Sequence, residues 1–456
     1  MENRRSPWLR RGVQGAFLVF LLWTGYQHQL LGGGPGGAPP VDALCPLGGL
    51  EGFWSWITEG VWLRRLAPSV LVLLGTVLAL TLLFGRVFCG WICPLGTIAE
   101  GTAAAGRRLG LGGRHLPPAV DRPLRGLKYV VLVAITVLAW VWGTLAWRGF
   151  DPWVAVMHIP AGWSALEESP WSFVVLGVGV LGAGLFIERF WCRYLCPLGA
   201  LLALFARFSA VKIRRSSQSC IRCDACHREC PVDLNPQASD AVTSPECLAC
   251  GRCAEACPVP ATLNFSWGPR SLSVLSVGLL TLLVFFGAYG TAKLTGWWQT
   301  TVNPAETAAR AANPTEGVYG WMSLNQVAAT VKLSPQEVLA IAQLSPDTPL
   351  DVSMKKIPGL NDETVREALA AHFAAASAVG SAGAPVTIGN PEEIRGAATL
   401  EDVARAFDLD PSKILETAGW PPDVPRDKPL KEIGSSLGKD VSEIRSAVIA
   451  LQKATE

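Results

Sequence analysis

For roughly the first two thirds of its length the chain alternates long apolar runs with short polar ones. A helix of about 20 apolar residues crosses a bilayer. Five such windows occur: about Val13 to Leu31, Ala67 to Val87, Tyr129 to Trp147, Trp171 to Phe190 and Leu272 to Ala292. The first is preceded by Arg4, Arg5, Arg10 and Arg11, as a secretory signal would be. Its apolar run is long and no small-residue cleavage site follows, so an uncleaved anchor is expected.

Lys and Arg mark the side of a span that stays in the cytoplasm. They collect at the N-terminus, between spans two and three (Arg107, Arg108, Arg114, Arg122, Arg125, Lys128), and after span four (Arg207, Lys212, Arg214, Arg215). The stretch from Gly149 to Ser169 has none, and the first loop has only Arg64 and Arg65. Five spans with a cytoplasmic N-terminus put all three basic segments on one side. Residues after about 297 then lie outside. Trp54, Trp56, Trp62, Trp147, Trp153, Trp163, Trp171, Trp297 and Trp298 are expected in an outer interfacial belt.

From about Asn303 the pattern becomes that of short amphipathic helices, and it repeats. Ser323-Leu324-Asn325-Gln326-Val327-Ala328 aligns with Thr399-Leu400-Glu401-Asp402-Val403-Ala404. The same register pairs Leu333-Ser334-Pro335 with Leu409-Asp410-Pro411, Pro346-Asp347 with Pro422-Asp423, and Ile357 with Ile433. Ser323 and Thr399 read as N-caps. Ser334-Pro335-Gln336-Glu337 reads as a capping box with Pro at the first helical position. Ala374 to Asn390 reads as a linker.

Composition agrees with a membrane protein. Half the residues are hydrophobic and 17% are charged, against roughly 25% in ordinary soluble domains, and the mean hydropathy is +0.31. The net charge of +2 says nothing about partners. The tail has no cysteine and a single histidine, His372, and its acids outnumber its bases. No nucleic-acid partner is therefore expected, despite a helix-turn-helix rhythm.

The chemistry lies in the thirteen cysteines. Cys220-x2-Cys223-x2-Cys226-x3-Cys230-Pro231 is followed by Cys247-x2-Cys250-x2-Cys253-x3-Cys257-Pro258. This is the bacterial two-cluster ferredoxin run, in which the fourth cysteine of each half ligates the other cluster. Cys220, Cys223, Cys226 and Cys257 are expected to hold one [4Fe–4S] cluster. Cys247, Cys250, Cys253 and Cys230 are expected to hold the second. Structural zinc is the rival, but it favours paired CxxC knuckles without a crossed fourth ligand. Iron–thiolate chemistry suits a reducing compartment. His227, within the first run, reads as a solvated loop residue.

A second duplicated motif ends spans two and four. Cys89-Gly-Trp-Ile-Cys93-Pro94-Leu95-Gly96 matches Cys192-Arg-Tyr-Leu-Cys196-Pro197-Leu198-Gly199, with Arg86 and Arg189 three residues upstream. A spacing of four puts both thiols on one helix face, and the proline ends the helix. Cys89, Cys93, Cys192 and Cys196 are expected to converge as a redox, metal or cluster site at the membrane edge. The rival is apolar packing of small cysteines, which does not account for the duplication. Cys45-Pro46-Leu47-Gly48 repeats the string in the first outer loop without a second cysteine and reads as a turn. His28 and His158 lie near the outer face, where a quinol or haem would be sought.

Duplicated CxxxCP motifs followed by a two-cluster run resemble the NapH/NosR/CcoG group of membrane polyferredoxins. The resemblance covers about residues 1 to 297. It implies electron transfer at the inner membrane, with quinol exchange or reduction of metal centres during metalloenzyme maturation. No flavin-binding domain precedes the first span, and the tail does not read as an immunoglobulin-like β domain. The layout is closest to the NapH type.

The expected fold is mainly α: a polytopic helical membrane protein of about five spans, with an inserted bacterial-type ferredoxin domain and a C-terminal all-α repeat domain. The membrane domain covers 1–215, the ferredoxin 216–262 and the fifth span 263–300. An extracytoplasmic domain of two repeats (about 321–373 and 396–451) covers 301–456. The expected cofactors are two [4Fe–4S] clusters, with room for a further metal or cluster at the CxxxCP pair and for quinone. The expected function is an electron relay in the bacterial or archaeal cytoplasmic membrane, serving as the electron-transfer subunit of a quinol-linked oxidoreductase. Its partners would be lipid, a quinone pool or cytoplasmic donor, and an extracytoplasmic redox or metalloprotein. The alternative is a redox-dependent assembly or regulatory factor for a metalloenzyme.

Overall fold

The computed structural model describes Ser6 to Thr455 apart from residues 35–36, 61–62, 64–65, 115, 143–144, 146, 311–312, 381–389, 392–393, 395, 397, 423 and 427. Arg4, Arg5, Trp62, Arg64, Arg65 and the middle of the Ala374–Asn390 linker thus lie outside the described residues. The chain is mostly helical and packs as two compact units. One is Met1–Leu333 with Pro349–Gly359, and the other is Ser334–Thr348 with Leu360–Glu456.

In the first unit the helices are α1 (Ser6–Leu31), α2 (Gly48–Glu59), α3 (Ser69–Phe84), α4 (Val87–Trp91), α5 (Pro94–Arg108), α6 (Pro118–Trp142), α7 (Pro152–His158), α8 (Pro170–Phe186), α9 (Phe190–Tyr194), α10 (Pro197–Ala206) and α11 (Val274–Leu294). Among the described residues, α6 and α11 are long and apolar enough to cross a membrane. The other expected spans take different forms. The 26-residue α1 begins in the basic segment. The expected second and fourth spans are the shorter apolar helices α3 and α8. The middle of α8, Val175–Gly182, is wound as a π-helix, a form that appears mostly as short bulges at functional sites.

Two sequence expectations need correction. The basic stretch through Arg122, Arg125 and Lys128 is not loop, because α6 begins at Pro118. An ion pair one turn apart, Arg125 Nε to Asp121 Oδ2 at 2.7 Å, supports that early start. Trp153 is not in an interfacial belt. It is 7% exposed and packs in a core with Leu21, Leu95 and Trp191. The cause is α7, whose residues are all buried. Asp151 caps α7 by accepting from Trp153 N at 2.9 Å, and Pro152 opens it. Trp54, Trp163, Trp171 and Trp297 are exposed.

Contacts sort the helix ends of this unit into two groups. Ser69 N, at the start of α3, donates to Gln299 O beyond the end of α11. Trp140, near the end of α6, donates to Leu50 O in α2 and stacks on Trp54. At the other ends, Arg10 of α1 meets Glu100 of α5, and Lys128 of α6 meets Glu246. Glu246 belongs to the segment inserted between α10 and α11. That segment leaves from β1 (Val211–Arg215) and returns through β2 (Leu263–Trp267), which pairs with β1 antiparallel from Val211↔Trp267 to Arg215↔Leu263. β3 (Arg270–Leu272) adds to β2 and leads into α11. The excursion between β1 and β2 holds all eight ferredoxin-pattern cysteines.

The tail repeat recurs in local structure. Ser323 caps α12 (Leu324–Val331), and Thr399 caps the corresponding Leu400–Phe407, each through a full capping box. Both helices end on a left-handed residue, Lys332 and Asp408. Isolated bridges Ser323↔Ser353 and Thr399↔Pro429 fall in the repeat's own register. Ser334 forms its capping box with Glu337. Within the second unit, Leu400, Val403, Ile414, Trp420, Ile433 and Ile444 form the core. The Ala-rich start of the expected linker is helical, because Asp362–Gly380 is one helix.

Glu246 stands between two buried cations, Lys128 Nζ at 2.6 Å and Arg86 Nη1 at 3.3 Å. Removing one partner of a buried charge set leaves the rest uncompensated. Glu246→Gln should therefore cost about 3–5 kcal/mol, read as a lowered midpoint of thermal unfolding in detergent. Glu432→Ala, at the exposed Lys428–Glu432 pair of the second unit, should cost less than about 1 kcal/mol.

Candidate functional site

The eight cysteines of the inserted segment lie on two loops of the same backbone shape. The residues on either side of the second cysteine of each loop have positive φ: Arg222 and Asp224 around Cys223, Ala249 and Gly251 around Cys250. This region is uncommon for residues with a side chain and marks strain held by its surroundings. It curls each loop into a concavity. A short helical turn follows in both, Ala225–Arg228 and Arg252–Glu255.

Cys230 crosses to the second loop. Cys230, Cys247, Cys250 and Cys253 line one small pocket, walled by apolar residues including Ile213, Val232, Leu234 and Val242. Burial pushes the Cys247 thiol up to about 12 and the Cys230 thiol up to about 11, and Cys250 adds to both. Thiols in such a place become thiolates only when a cation replaces the proton. The first loop is more open. Burial raises the Cys226 thiol, with Cys257 and Cys220 adding to it. The Cys220 thiol is lowered, first by the Arg222 backbone N–H and then by the Arg215 guanidinium. Cys223 is exposed. His227 is half-buried on the short turn that follows the first trio. Its Nε2 lies 3.1 Å from Asp233 Oδ1.

A single metal ion needs its thiolates within about 2.3 Å of one point. Among the described residues no three His, Cys, Asp or Glu side chains are grouped in that way. Four thiols that line one pocket without converging on a single point suit a larger group whose corners are separate metals.

The two CxxxCP segments are brought together. α4 carries Cys89 and α9 carries Cys192, while Cys93 and Cys196 cap α5 and α10. The Cys196 thiol is raised by burial and then by Cys192, Cys89 and Cys93, so all four thiols share one environment. The two arginines are exchanged between the copies. Arg189 Nη1 donates to Cys89 O at 3.0 Å, and a side chain at Gly96 would collide with it. Arg86 Nη2 would meet a side chain at Gly199 in the same way. Each arginine has a carboxylate partner, Arg86 with Glu246 and Arg189 Nη2 with Glu100 at 3.1 Å. Burial alone would raise the Glu100 carboxyl. The Arg10 hydrogen bond and the charges of Arg189 and Arg10 instead hold it well below the usual range. Arg86 Nε and Nη2 and Arg189 Nε are buried without a hydrogen-bond partner among the described residues. Unpartnered guanidinium atoms beside four thiols fit an anionic, thiolate-ligated group.

Gly90 joins the two sites. A Cβ there would lie 2.6 Å from Leu248 O and 3.0 Å from Cys250 Cα, so the first CxxxCP turn rests directly on the second ferredoxin loop. In the second copy the matching position is Arg193, which reaches Asp121 at 2.6 Å and Asp233 at 3.3 Å. Neither contact is legible from cysteine spacing. The absence of a side chain at Gly90 is the only sequence signal of the first.

Two stretches of the chain, residues 66–112 and 169–216, match the family described as 4Fe-4S binding domain, and each contains one CxxxCP motif. Residues 212–258 match the 4Fe-4S dicluster domain. The putative electron transport protein YccM of Escherichia coli is 33% identical over 279 residues, which are 59% of this chain and 76% of that protein. The ferredoxin-type protein NapH of Haemophilus influenzae is 30% identical over 233 residues, 50% of this chain and 75% of NapH. The chain belongs to the NapH/NosR-like polyferredoxin family. Protein NirI of Paracoccus denitrificans is 36% identical over 234 residues, 50% of this chain but 32% of NirI. No solved structure matches. This polyferredoxin is therefore an iron–sulfur electron-transfer protein with a membrane association.

The outer candidates fare differently. His28 Nδ1 lies 3.1 Å from Ala38 O, and His158 ends the buried α7. Cys45 is half-buried near Asp42, Glu51 and Asp151. Burial, with Asp151 and Asp42 nearby, lifts Glu51 to about 8. Burial likewise lifts Asp151 to about 7. Both carboxyls hold a proton more tightly folded than unfolded. Their contribution to stability is full at low pH and is lost as pH rises through about 7 to 8. Thermal unfolding should show stability falling from pH 5 to pH 8, and Glu51→Gln should flatten that slope.

Proposed function

We propose that the chain is a five-span one-electron relay of the cytoplasmic membrane. In this reading Cys220, Cys223, Cys226 and Cys257 hold one [4Fe–4S] cluster, and Cys247, Cys250, Cys253 and Cys230 hold the other. Cys89, Cys93, Cys192 and Cys196 form a third redox site that links the ferredoxin module to a quinone or to a redox partner beyond the membrane. Bound clusters supply one-electron storage at potentials set by their charge, hydrogen bonds and exposure. The chain's own residues do the rest. Arg86 and Arg189 place positive charge at the CxxxCP thiols, the walls around Cys230 and Cys247 exclude water, and the exposed first loop faces soluble partners. The reading rests on the contact at Gly90, which brings the CxxxCP turn and the second loop into backbone contact.

Anaerobically purified protein in detergent tests it. Cys192→Ser and Gly90→Val should each retain the roughly eight irons of the two ferredoxin loops, still reducible by dithionite. Each should slow electron exchange with a short-chain quinone by about tenfold or more, equivalent to about 1.4 kcal/mol in the barrier. Wild-type rates in both variants would make the CxxxCP pair structural. Loss of all iron would assign it to assembly.

The same proposal fixes sidedness, with the N-terminus and ferredoxin module cytoplasmic and the tail outside, on the strength of the basic segments. A periplasm-dependent reporter such as alkaline phosphatase should be active when fused after Glu456 and silent when fused at Gln237. The reverse pattern would overturn the five-span arrangement.

A further inference from the structure

A cleft opens beside the second ferredoxin loop. Its walls come from the end of α5 with the Gly112–Gly113 turn, from the end of α8, and from the ferredoxin residues around Cys230. Five arginines line it against three carboxylates. The carboxylates are engaged: Glu188 with Arg252 at 2.5 Å and Arg107 at 2.9 Å, Glu229 with Arg252 at 3.0 Å, and Asp233 with Arg193 at 3.3 Å. Arg114 and Arg228 are exposed at the rim and have no carboxylate partner among the described residues. Arg114 lies over the Phe186 ring at 5.1 Å. Arg114 and Arg228 thus leave exposed positive charge on two separate walls, while Glu188 and Asp233 are largely buried in ion pairs with Arg252 and Arg193.

We infer that this cleft is the docking site of a small acidic one-electron carrier protein, a ferredoxin-like or flavodoxin-like donor. The inference rests on the relay reading and adds where its soluble partner binds. Three observations favour it. The wall contains Cys230 and Pro231, so a carrier seated there lies against a cysteine of the pocket that Cys247, Cys250 and Cys253 also line. The unengaged charge is exposed, where it meets a surface, while the more buried arginines of the cleft, Arg193 and Arg252, are already paired with its carboxylates and are not free for a small anion. Carrier complexes are small and transient, and they use complementary charge for encounter more than for affinity. The step is balanced: the reduced carrier loses one electron, the relay gains it, and no bond or proton changes hands.

Stopped-flow reduction of the full-length protein tests the site, using a pre-reduced acidic bacterial ferredoxin and, separately, the cationic methyl viologen radical. The double variant Arg114→Glu/Arg228→Glu should slow reduction by ferredoxin about tenfold at low salt, within the range that steering commands. It should leave viologen reduction unchanged or faster. Arg114→Lys/Arg228→Lys should keep the wild-type ferredoxin rate. The wild-type rate with ferredoxin should fall as salt rises. An unchanged ferredoxin rate in the Glu variant would overturn the inference. So would equal slowing of both reductants, or loss of rate in the Lys variant, since either makes the arginines structural. Saturable blocking by millimolar inorganic phosphate at constant ionic strength would show a small-anion pocket and also overturn it. If ferredoxin reduction responds to charge as stated while no electrons reach quinone, the relay reading fails and the docking site stands.

Discussion

Charge buried in a helical bundle persists only where partners meet it, and among the described residues several cations are almost wholly removed from water. Lys128, Arg86 and Arg189 are each at most 1% exposed. Two carboxylates answer them. Glu246 comes from the inserted segment and binds Lys128 and Arg86. Glu100 lies on the helix after the first CxxxCP motif and binds Arg189 and Arg10. The first of these ties the ferredoxin module to α6 and to the α3–α4 turn. The second ties α1 to the α8–α9 turn through α5. Much of the architecture around the thiols follows from where these charges had to be neutralised. Three of their guanidinium nitrogens, Arg86 Nε and Nη2 and Arg189 Nε, keep no hydrogen-bond partner among the described residues, and they belong to side chains beside the thiols, where thiolates would carry negative charge.

The same economy of position shows in the inserted segment. Strain at Arg222, Asp224 and Ala249 sits on the loops that carry the cysteine trios and is repeated in both. β1 and β2 hold the loops at their base through a five-residue antiparallel ladder. The loops themselves use little regular structure, which leaves backbone N–H groups free to face inward.

Much of this was legible in the sequence because it is local. Cysteine spacing marked both duplicated motifs. The Ser323, Ser334 and Thr399 caps were readable because capping depends on residues three apart. The tail repeat was readable from its register. The parts that were not legible depend on distant partners. Lys128 reads as a loop lysine until Glu246, far along the chain, is placed beside it. Trp153 reads as interfacial because hydropathy cannot distinguish a belt residue from a buried short helix such as α7. The π-helical winding within Val175–Gly182 leaves no mark in a run of Val, Leu and Gly that suits any membrane helix. Gly90 gives no hint of what approaches it, since a missing side chain does not name its neighbour.

The exchanged arginines have a consequence for how such a molecule could arise. Each CPLG turn is closed by a guanidinium that its own copy does not supply: Arg189 reaches the Cys89 carbonyl beside Gly96, and Arg86 lies against Gly199. A half-length ancestor bearing one motif could complete its turn only by borrowing the arginine of a second molecule. Fusion of two such genes would then have turned a reciprocal homodimer contact into an intramolecular one. In the present chain the two sides differ: glycine at position 90 admits the second ferredoxin loop, and arginine at position 193 reaches Asp233 of the inserted segment.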